Sequence, residues 1–289
     1  MKICPACASA HDASGWVCPI CHVAPPVEDG IPLLAPAIKI GDGTDATYSL
    51  EALAAAEQKH FWFRNRAELV AWAIREHFPA ARSLLDVGCG TGGILASLGT
   101  TCANVALTGG DALLDALRYA RARVRDVELL QLDIRSLPFE RHFDLISAFD
   151  VLEHLDDDQH VLQEMRKAVR DGGGLLVTVP QHPELWSRVD DFSRHRRRYR
   201  RRELIDRVQR AGFSVRLVTS FTTMMLPAMA LSRLLDGRRV TPFDPVAELN
   251  VGAAVNAVGS ILCAVERTAI SHGISWPAGG SLLLLATKA

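Results

Sequence analysis

The stretch "SLLDVGCGTGG", residues 83–93, decides the fold. A short apolar run, Leu84, Leu85 and Val87, breaks into a loop carrying Gly88, Gly90, Gly92 and Gly93. A strand that ends on glycines can turn sharply and lets its backbone approach a ligand closely. "GILASLG" then reads as a helix. The downstream segments agree with this start. "ANVALTGGD" is a second strand ending at Asp111, about 20 residues past the loop, where a carboxylate can grip a ribose diol. "DALLDALRYARARV" is a helix, and "VELLQLD" is a third strand ending at Asp133. "HFDLISAFD", ending at Asp150, and "GGGLLVTVP" are the fourth and fifth strands. This alternation predicts a doubly wound parallel sheet with ligands at the strands' carboxyl ends. Asp86, Asp111, Asp133 and Asp150 all fall at or near those ends.

These motifs together resemble the class I S-adenosylmethionine-dependent methyltransferases over roughly residues 60–220 and the last strand. The resemblance implies an α/β fold with a Rossmann-like seven-stranded methyltransferase sheet. It also implies roles for residues. Asp86 and the Gly88–Cys89–Gly90 backbone would hold the methionine part of the cofactor. Asp111, followed by Ala112, would bind the ribose hydroxyls, and Asp133 with the Ile134 backbone the adenine. The "ALL" after Asp111 departs from relatives that carry a small hydroxyl residue there.

"AAAEQKHFWFRNR", residues 54–66, reads as a lid ahead of the first strand. "NRAE" fits an N-cap followed by a glutamate three residues on, which predicts a helix starting at Asn65. Similar "HFWFxxR" segments in such methyltransferases place His60, Trp62 and Arg64, or Arg66 in its stead, over the cofactor. The alternative is aromatic core packing. "DVLEHLDDD" resembles the "E-x-x-E-H" stretch of quinone-pathway O-methyltransferases, which implies Mg2+ at Asp150, Glu153 and His154. Asp150 stands where that pattern has Glu. A hydroxyl acceptor benefits from a base, and His154 and His195 are the candidates.

The block "DDFSRHRRRYRRREL", residues 190–204, invites a nucleic-acid reading. Yet the chain's net charge is −1, and residues 1–30 hold one lysine and no arginine. In similar methyltransferases "H-x-R-R-Y" recurs beside the acceptor. His195, Arg197, Arg198 and Tyr199 fit it, with His195 and Tyr199 as catalytic candidates. Arg201 and Arg202 are expected on the first turn of the next helix, facing solvent.

Four of the seven cysteines fall in the first 21 residues. Cys4/Cys7 and Cys18/Cys21 form two C-x-x-C turns that together can complete a tetrahedral thiolate site, with His22 as an alternative fourth donor. So short a segment has no core, so structural zinc would supply its folding energy. The expected layout is a zinc ribbon over 1–30, a linker and lid helix over 31–60, and a methyltransferase core over 61–220. A helical insertion follows over 221–280, then the last strand, "SLLLLATKA", over 281–289.

In the insertion, "TMMLPAMALSRLL" is interrupted by Pro227. Val251, Val255, Val258, Leu262 and Val265 recur at helical spacing, predicting an amphipathic helix over 246–268. Gly252, Ala253, Ala257 and Gly259 would let another helix approach. The insertion reads either as a cap over the substrate pocket or, through 221–270, as a surface touching a membrane or a lipid-linked acceptor. No uninterrupted apolar run reaches transmembrane length and no apolar leader is seen, so the expectation is a cytoplasmic protein, with membrane association through 221–270 as the alternative.

The leading expectation is methyl transfer, at oxygen, to a small-molecule or lipid- or glycan-linked acceptor. The alternatives are an rRNA or tRNA methyltransferase and a non-catalytic binding protein with the same fold.

Overall fold

A computed structural model describes residues 1–38, 49–236 and 249–289. Parts of the expected linker (39–48) and insertion (237–248), including the start of the expected helix over 246–268, lie outside the described residues.

Apolar runs bounded by glycine and acidic turns become strands, and amphipathic segments between them become helices. The first strands are short: β1 (Lys2–Ile3), β2 (Ala10–His11), β3 (Val27–Glu28) and β4 (Ile31–Pro32). The body follows as α1 (Leu50–Lys59), α2 (Phe61–His77), β5 (Ser83–Val87), α3 (Gly93–Thr101), β6 (Ala106–Asp111), α4 (Leu114–Arg123) and β7 (Glu128–Gln131). Next come β8 (Phe143–Phe149), α5 (Asp158–Ala168), β9 (Val169–Pro180), α6 (Arg188–Phe192), α7 (Arg201–Arg210) and β10 (Phe213–Phe221). The chain ends with α8 (Leu226–Asp236), α9 (Ala253–Ser271) and β11 (Ser281–Lys288).

The main sheet has seven strands in the order β10-β11-β9-β8-β5-β6-β7. The pairs from β9 to β7 are parallel, and β11 enters antiparallel between β10 and β9. Both faces of the sheet are covered, so its strands read as continuous apolar runs. In β11, Leu283 and Leu285 join one core cluster while Leu282, Leu284 and Ala286 join the other. The first cluster takes up α2, α3 and α4, and the second takes up α5 and α7. Each fully buried leucine contributes about 1.5–3 kcal/mol by leaving water.

The amino-terminal segment extends the sheet at its β7 edge. The Ile3 N–H donates to the Pro138 carbonyl at 2.9 Å, and the Leu34 N–H to the Gln131 carbonyl at 2.8 Å. Leu33 also bridges Gln131 in parallel. An uncovered edge strand offers unpaired backbone groups to other chains, and this segment covers them.

Two local expectations are corrected. Helix α2 begins at Phe61, not at Asn65, because the His60 side chain caps it by accepting the Trp62 N–H at 3.1 Å. The aromatic cluster is therefore its first turn. Pro227 does not interrupt a helix, since it stands in the first turn of α8, where a missing N–H leaves no bond unmade.

Helix α9 turns its valine stripe outward. Val255, Val258 and Val265 are more than half exposed, while Gly259 packs on Phe61 of α2. The small residues set the close approach, and the Asn256 amide completes it by accepting the Phe61 N–H at 2.7 Å. With 19 residues, α9 is long and apolar enough to cross a membrane, although the uninterrupted run within it is shorter.

Candidate active site

The carboxyl end of β5 forms the floor of a cavity of about 670 Å³. Gly88 has φ +71°, and a Cβ there would lie 2.5 Å from the Val151 side chain. Gly90 has φ +54° with open space where its Cβ would point. A backbone with no side chain in this position can lie directly against a ligand. The Asp86 carboxyl is buried, accepts the Ser147 hydroxyl at 2.8 Å and is pushed up to about 7, chiefly by that burial.

Asp86, Gly88, Cys89 and Gly90 lie on the cavity wall, whereas Asp111, Ala112, Asp133 and Ile134 lie beyond it. Asp111 is nevertheless tied to the loop. Its carboxylate accepts the Gly90 N–H at 2.8 Å and the Leu113 N–H at 2.9 Å, while burial pushes it up. The Ala112 carbonyl accepts from Gln131. Asp133 forms a two-pronged pair with the exposed Arg135 guanidinium. Burial opposes its ionisation, but the Arg135 side chain and N–H hold it below the usual range. Ile134 packs half-buried against the core.

The lid is the start of α2. His60, Trp62 and Arg66 reach the cavity, and Arg64 does not. Residues two apart on a helix point about 200° away from each other, so with Arg66 buried Arg64 is turned to solvent. This corrects the placement of Arg64. The Arg66 guanidinium pairs with Asp150 and lies 4.7 Å from the Trp62 ring centroid. Burial lowers the His60 pKa. Glu57 of α1 accepts the Thr91 hydroxyl at 2.6 Å and pairs with Arg123, which pins α1 to the glycine loop.

The same cavity wall carries the expected acceptor-side residues Asp150, Glu153, His154 and His195. Asp150 has φ +56° and accepts from Thr178 at 3.1 Å as well as from Arg66. It therefore does not join Glu153 and His154 as the resemblance implied. His195 does: ligand atoms of Glu153, His154 and His195 lie within 4.8 Å of one another. Burial, then the Asp150 charge, raises Glu153 well above the usual carboxylate range. Burial, then the neighbouring His195, lowers His154 to about 4, so its ring is neutral at pH 7. The two rings meet edge to face at 4.8 Å.

Asp190 organises this group, and it was not anticipated. Fully buried, it faces His195 Nδ1 at 2.9 Å and accepts from Arg198 Nε at 2.7 Å and from Ser187. Burial disfavours its charge, but the His195 and Arg198 contacts hold it down at about 2. The "SRVD" run over 187–190 carried the signal, because it forms the capping box that starts α6.

Tyr199 is corrected from a catalytic candidate to a core anchor. It is fully buried, off the cavity wall, and donates its hydroxyl to Asp158 at 2.6 Å. Of the arginine block, Arg198 faces the cavity, while Arg197 bonds to the Leu155 and Asp156 carbonyls. Arg196 pairs with Asp156 and Arg200 with Glu184. Arg201 opens α7 as expected but turns back to the Val218 carbonyl and Ser275 instead of facing solvent.

At the amino terminus Cys4, Cys7, Cys18 and Cys21 converge, with Cys4–Cys21 and Cys7–Cys18 sulfur separations of 3.7 Å. A tetrahedral ion with sulfur bonds of ~2.3 Å needs separations of ~3.8 Å, far longer than a disulfide. The cluster is thus consistent with a zinc ribbon, with Cys21 and not His22 as the fourth donor.

Residues 54–218, more than half of the chain, match the family model described as "Methyltransferase domain". The chain belongs to this methyltransferase family. Among curated relatives it is 32% identical over 128 residues to trans-aconitate 2-methyltransferase of Azoarcus sp. (strain BH72), covering 44% of this chain and 51% of the relative. It is 33% identical over 104 residues to the ubiquinone biosynthesis O-methyltransferase of Hydrogenovibrio crunogenus, covering 34% and 42%. The chain spans about half the length of the curated relatives it matches.

A solved complex of the Haloferax volcanii Trm112 methyltransferase activator and a methyltransferase aligns with a TM-score of 0.56 and 20% identity. That alignment covers 86% of this chain and 99% of the other. Haemonchus contortus phosphoethanolamine N-methyltransferase 2 also aligns, with a TM-score of 0.56, 16% identity and coverage of 88% and 60%. At these identities the likeness shows the fold.

The methyltransferase fold implies S-adenosylmethionine, and the cavity has the features that would take it. The side-chain-free surface at Gly90 and the buried Asp86 carboxyl, whose hydrogen-bond partner among the described residues is Ser147, suit a flat ligand bearing an ammonium group.

Proposed function

We propose that the chain is an S-adenosylmethionine-dependent methyltransferase acting at oxygen on a small-molecule or lipid- or glycan-linked acceptor. One observation carries the reading. A single cavity is lined both by the glycine loop with Asp86 and by Glu153, His154, His195 and Arg198.

The bound cofactor would supply an electrophilic methyl group on a sulfonium. Asp86, with the Gly88–Cys89–Gly90 backbone, holds the methionine end. Asp111, beside Ala112, accepts the ribose hydroxyls and Asp133, with the Ile134 backbone, the adenine amine. His60, Trp62 and Arg66 exclude water from above. In-line displacement needs mainly alignment, which these fixed groups supply. On the cavity wall His154 and His195 face the acceptor hydroxyl, and Arg198 favours an acceptor with a negative group nearby. Cys4, Cys7, Cys18 and Cys21 hold a structural zinc ion with no open position.

The lipid-linked form of the acceptor is supported by Val255, which is exposed and also on the cavity wall. Val258 and Val265 continue its apolar face along α9. RNA is disfavoured, because Arg196, Arg197, Arg198, Arg200 and Arg201 all bond within the chain.

The test is a thermal shift with S-adenosylmethionine, followed by methyl incorporation into a panel of hydroxyl, carboxyl and amine acceptors, each free and lipid-linked. Transfer only to amines would sink the oxygen assignment. Salt-sensitive RNA binding would revive the RNA reading, and absence of any cofactor shift would favour a non-catalytic fold.

A further inference from the structure

Helix α9 buries one face and leaves an apolar one outside. Gly259, Cys263, Glu266 and Ile270 recur at helical spacing and are buried. On the outer face Val255, Val258, Ile261 and Val265 are each more than half exposed. A surface helix normally shows water its polar side, and this one reverses the rule. Between Ala253 and Val265 the sequence has no charged side chain, and the Asn256 amide is already spent on the Phe61 N–H and the Lys59 carbonyl. Helix α8 continues the face. Met224 and Leu231 are exposed, and residues 222–232 carry no charge either. The Glu266 carboxyl accepts the Thr223 N–H at 2.8 Å and ties the start of α8 to α9.

Two further observations point to what covers this face. Ala228, Ser232 and Val255 are exposed and also line the cavity, so the cavity opens onto it. Cations also edge the face. The Lys59 carbonyl accepts the Asn256 amide at 2.9 Å, and Arg64 lies one turn on from Phe61, which packs on Gly259. Lys59 and Arg64 are both exposed, and neither is drawn into an ion pair among the described residues. A protein partner would look for about one hydrogen bond per 100–200 Å² of interface, and residues 253–265 offer little beyond Ser260. A bilayer needs none. Its acyl region takes aliphatic side chains, and its anionic headgroups take lysine and arginine.

We propose that the outer face of α8 and α9 docks on an anionic lipid bilayer, with Lys59 and Arg64 at the headgroups and the cavity mouth against the membrane. Helix α9 lies on the bilayer and does not cross it. Its inner side is fastened to α2, where Arg267 donates to Asn65 at 2.8 Å and pairs with Glu68. Crossing would carry those charged groups into the acyl region. Only the outer residues enter, about 5–10 Å deep. A lipid-linked acceptor then reaches the cavity without passing through water. That use rests on the function proposed above; the docking does not.

The test is sedimentation of the full chain, with its four-cysteine site zinc-loaded, with vesicles of phosphatidylcholine alone and of phosphatidylcholine mixed with phosphatidylglycerol. Binding to the mixed vesicles is expected, weakened about tenfold or more in Ile261→Asp and in Val258→Asp. Lys59→Gln combined with Arg64→Gln is expected to weaken it about 25-fold, at about fivefold per cation, and added salt to act in the same direction. Circular dichroism identifies any variant that fails to fold, and the others decide. No sedimentation with the mixed vesicles, equal sedimentation with the neutral ones, or undiminished binding by folded Ile261→Asp and Val258→Asp overturns the docking surface. So does a dimer, seen by analytical ultracentrifugation, that Ile261→Asp dissociates, because a second copy then covers the face. Sedimentation is read without cofactor or acceptor, so failure of the oxygen-acceptor reading leaves this result intact, and failure of docking leaves methyl transfer to free acceptors intact.

Discussion

His195 presents its Nδ1 to the buried Asp190 carboxylate at 2.9 Å. Asp190 is held at about 2, so it is ionised and can only accept. Nδ1 must therefore be the donor in this contact. The loop that delivers the ring to the acceptor side thus also fixes its orientation.

Asp190→Asn keeps the shape but frees the ring to turn or change tautomer. Methyl-transfer turnover should fall about 10–100-fold with little change in cofactor affinity, measured by steady-state kinetics and calorimetry. Because the folded state depresses this carboxyl from 3.8 to about 2, the contact adds stability above pH 4. It loses that stability as pH falls toward 2. The contribution is about 2 kcal/mol. Acid unfolding of the variant should lack that component, and an unchanged acid profile would contradict the assignment.

Asp86 predicts the opposite sign. Burial raises it from 3.8 to about 7, so the apo protein loses stability as pH rises through that window. Asp86→Asn should therefore raise the apo melting temperature at pH 8 relative to pH 4, by up to about 4 kcal/mol of stability. It should also abolish the S-adenosylmethionine thermal shift. In the parent chain, cofactor affinity should rise as pH passes through 7, since the ionised carboxyl holds the ammonium group. A variant that binds cofactor as tightly as the parent would remove Asp86 from the site.

Strand order and the glycine loop were legible because period and composition are local properties. "SLLLLATKA" reads as a strand buried on both faces whatever surrounds it. What failed depended on tertiary partners. His60 is a weak N-cap by type, and only the structure shows its ring accepting the Trp62 N–H. Arg64 and Arg66 are equivalent in sequence until the helix phase is known. Tyr199 sits in a plausible motif, but its fate was decided by Asp158, 41 residues away. The valine stripe of α9 was visible; the reason it faces outward, the close fit of Gly259 on Phe61, was not.

The four-cysteine cluster predicts one zinc ion per chain, measurable by elemental analysis. Cys18→Ser should release it and unfold the first 30 residues, since that segment has no core to replace the metal. The Ile3–Pro138 and Leu34–Gln131 bonds should then open. Hydrogen exchange should rise at β7 while β5 and β9 stay protected. Full protection at β7 in the zinc-free variant would show that the segment covers the edge without metal.

Gly259→Leu tests how α9 supports the lid. A Cβ at Gly259 would lie 2.7 Å from Phe61 Cγ, so the helix must shift outward or the ring must turn. Overpacking of this kind costs about 1–3 kcal/mol. The displacement would also strain the bond from the Phe61 N–H to Asn256, in the helical turn that begins with the His60 cap. Trp62 and Arg66 hang on that turn, so S-adenosylmethionine affinity should fall together with the melting temperature. Val258→Leu, on the exposed face of the same helix, should change neither. If Gly259→Leu lowers stability but leaves cofactor affinity untouched, α9 braces the fold without shaping the lid.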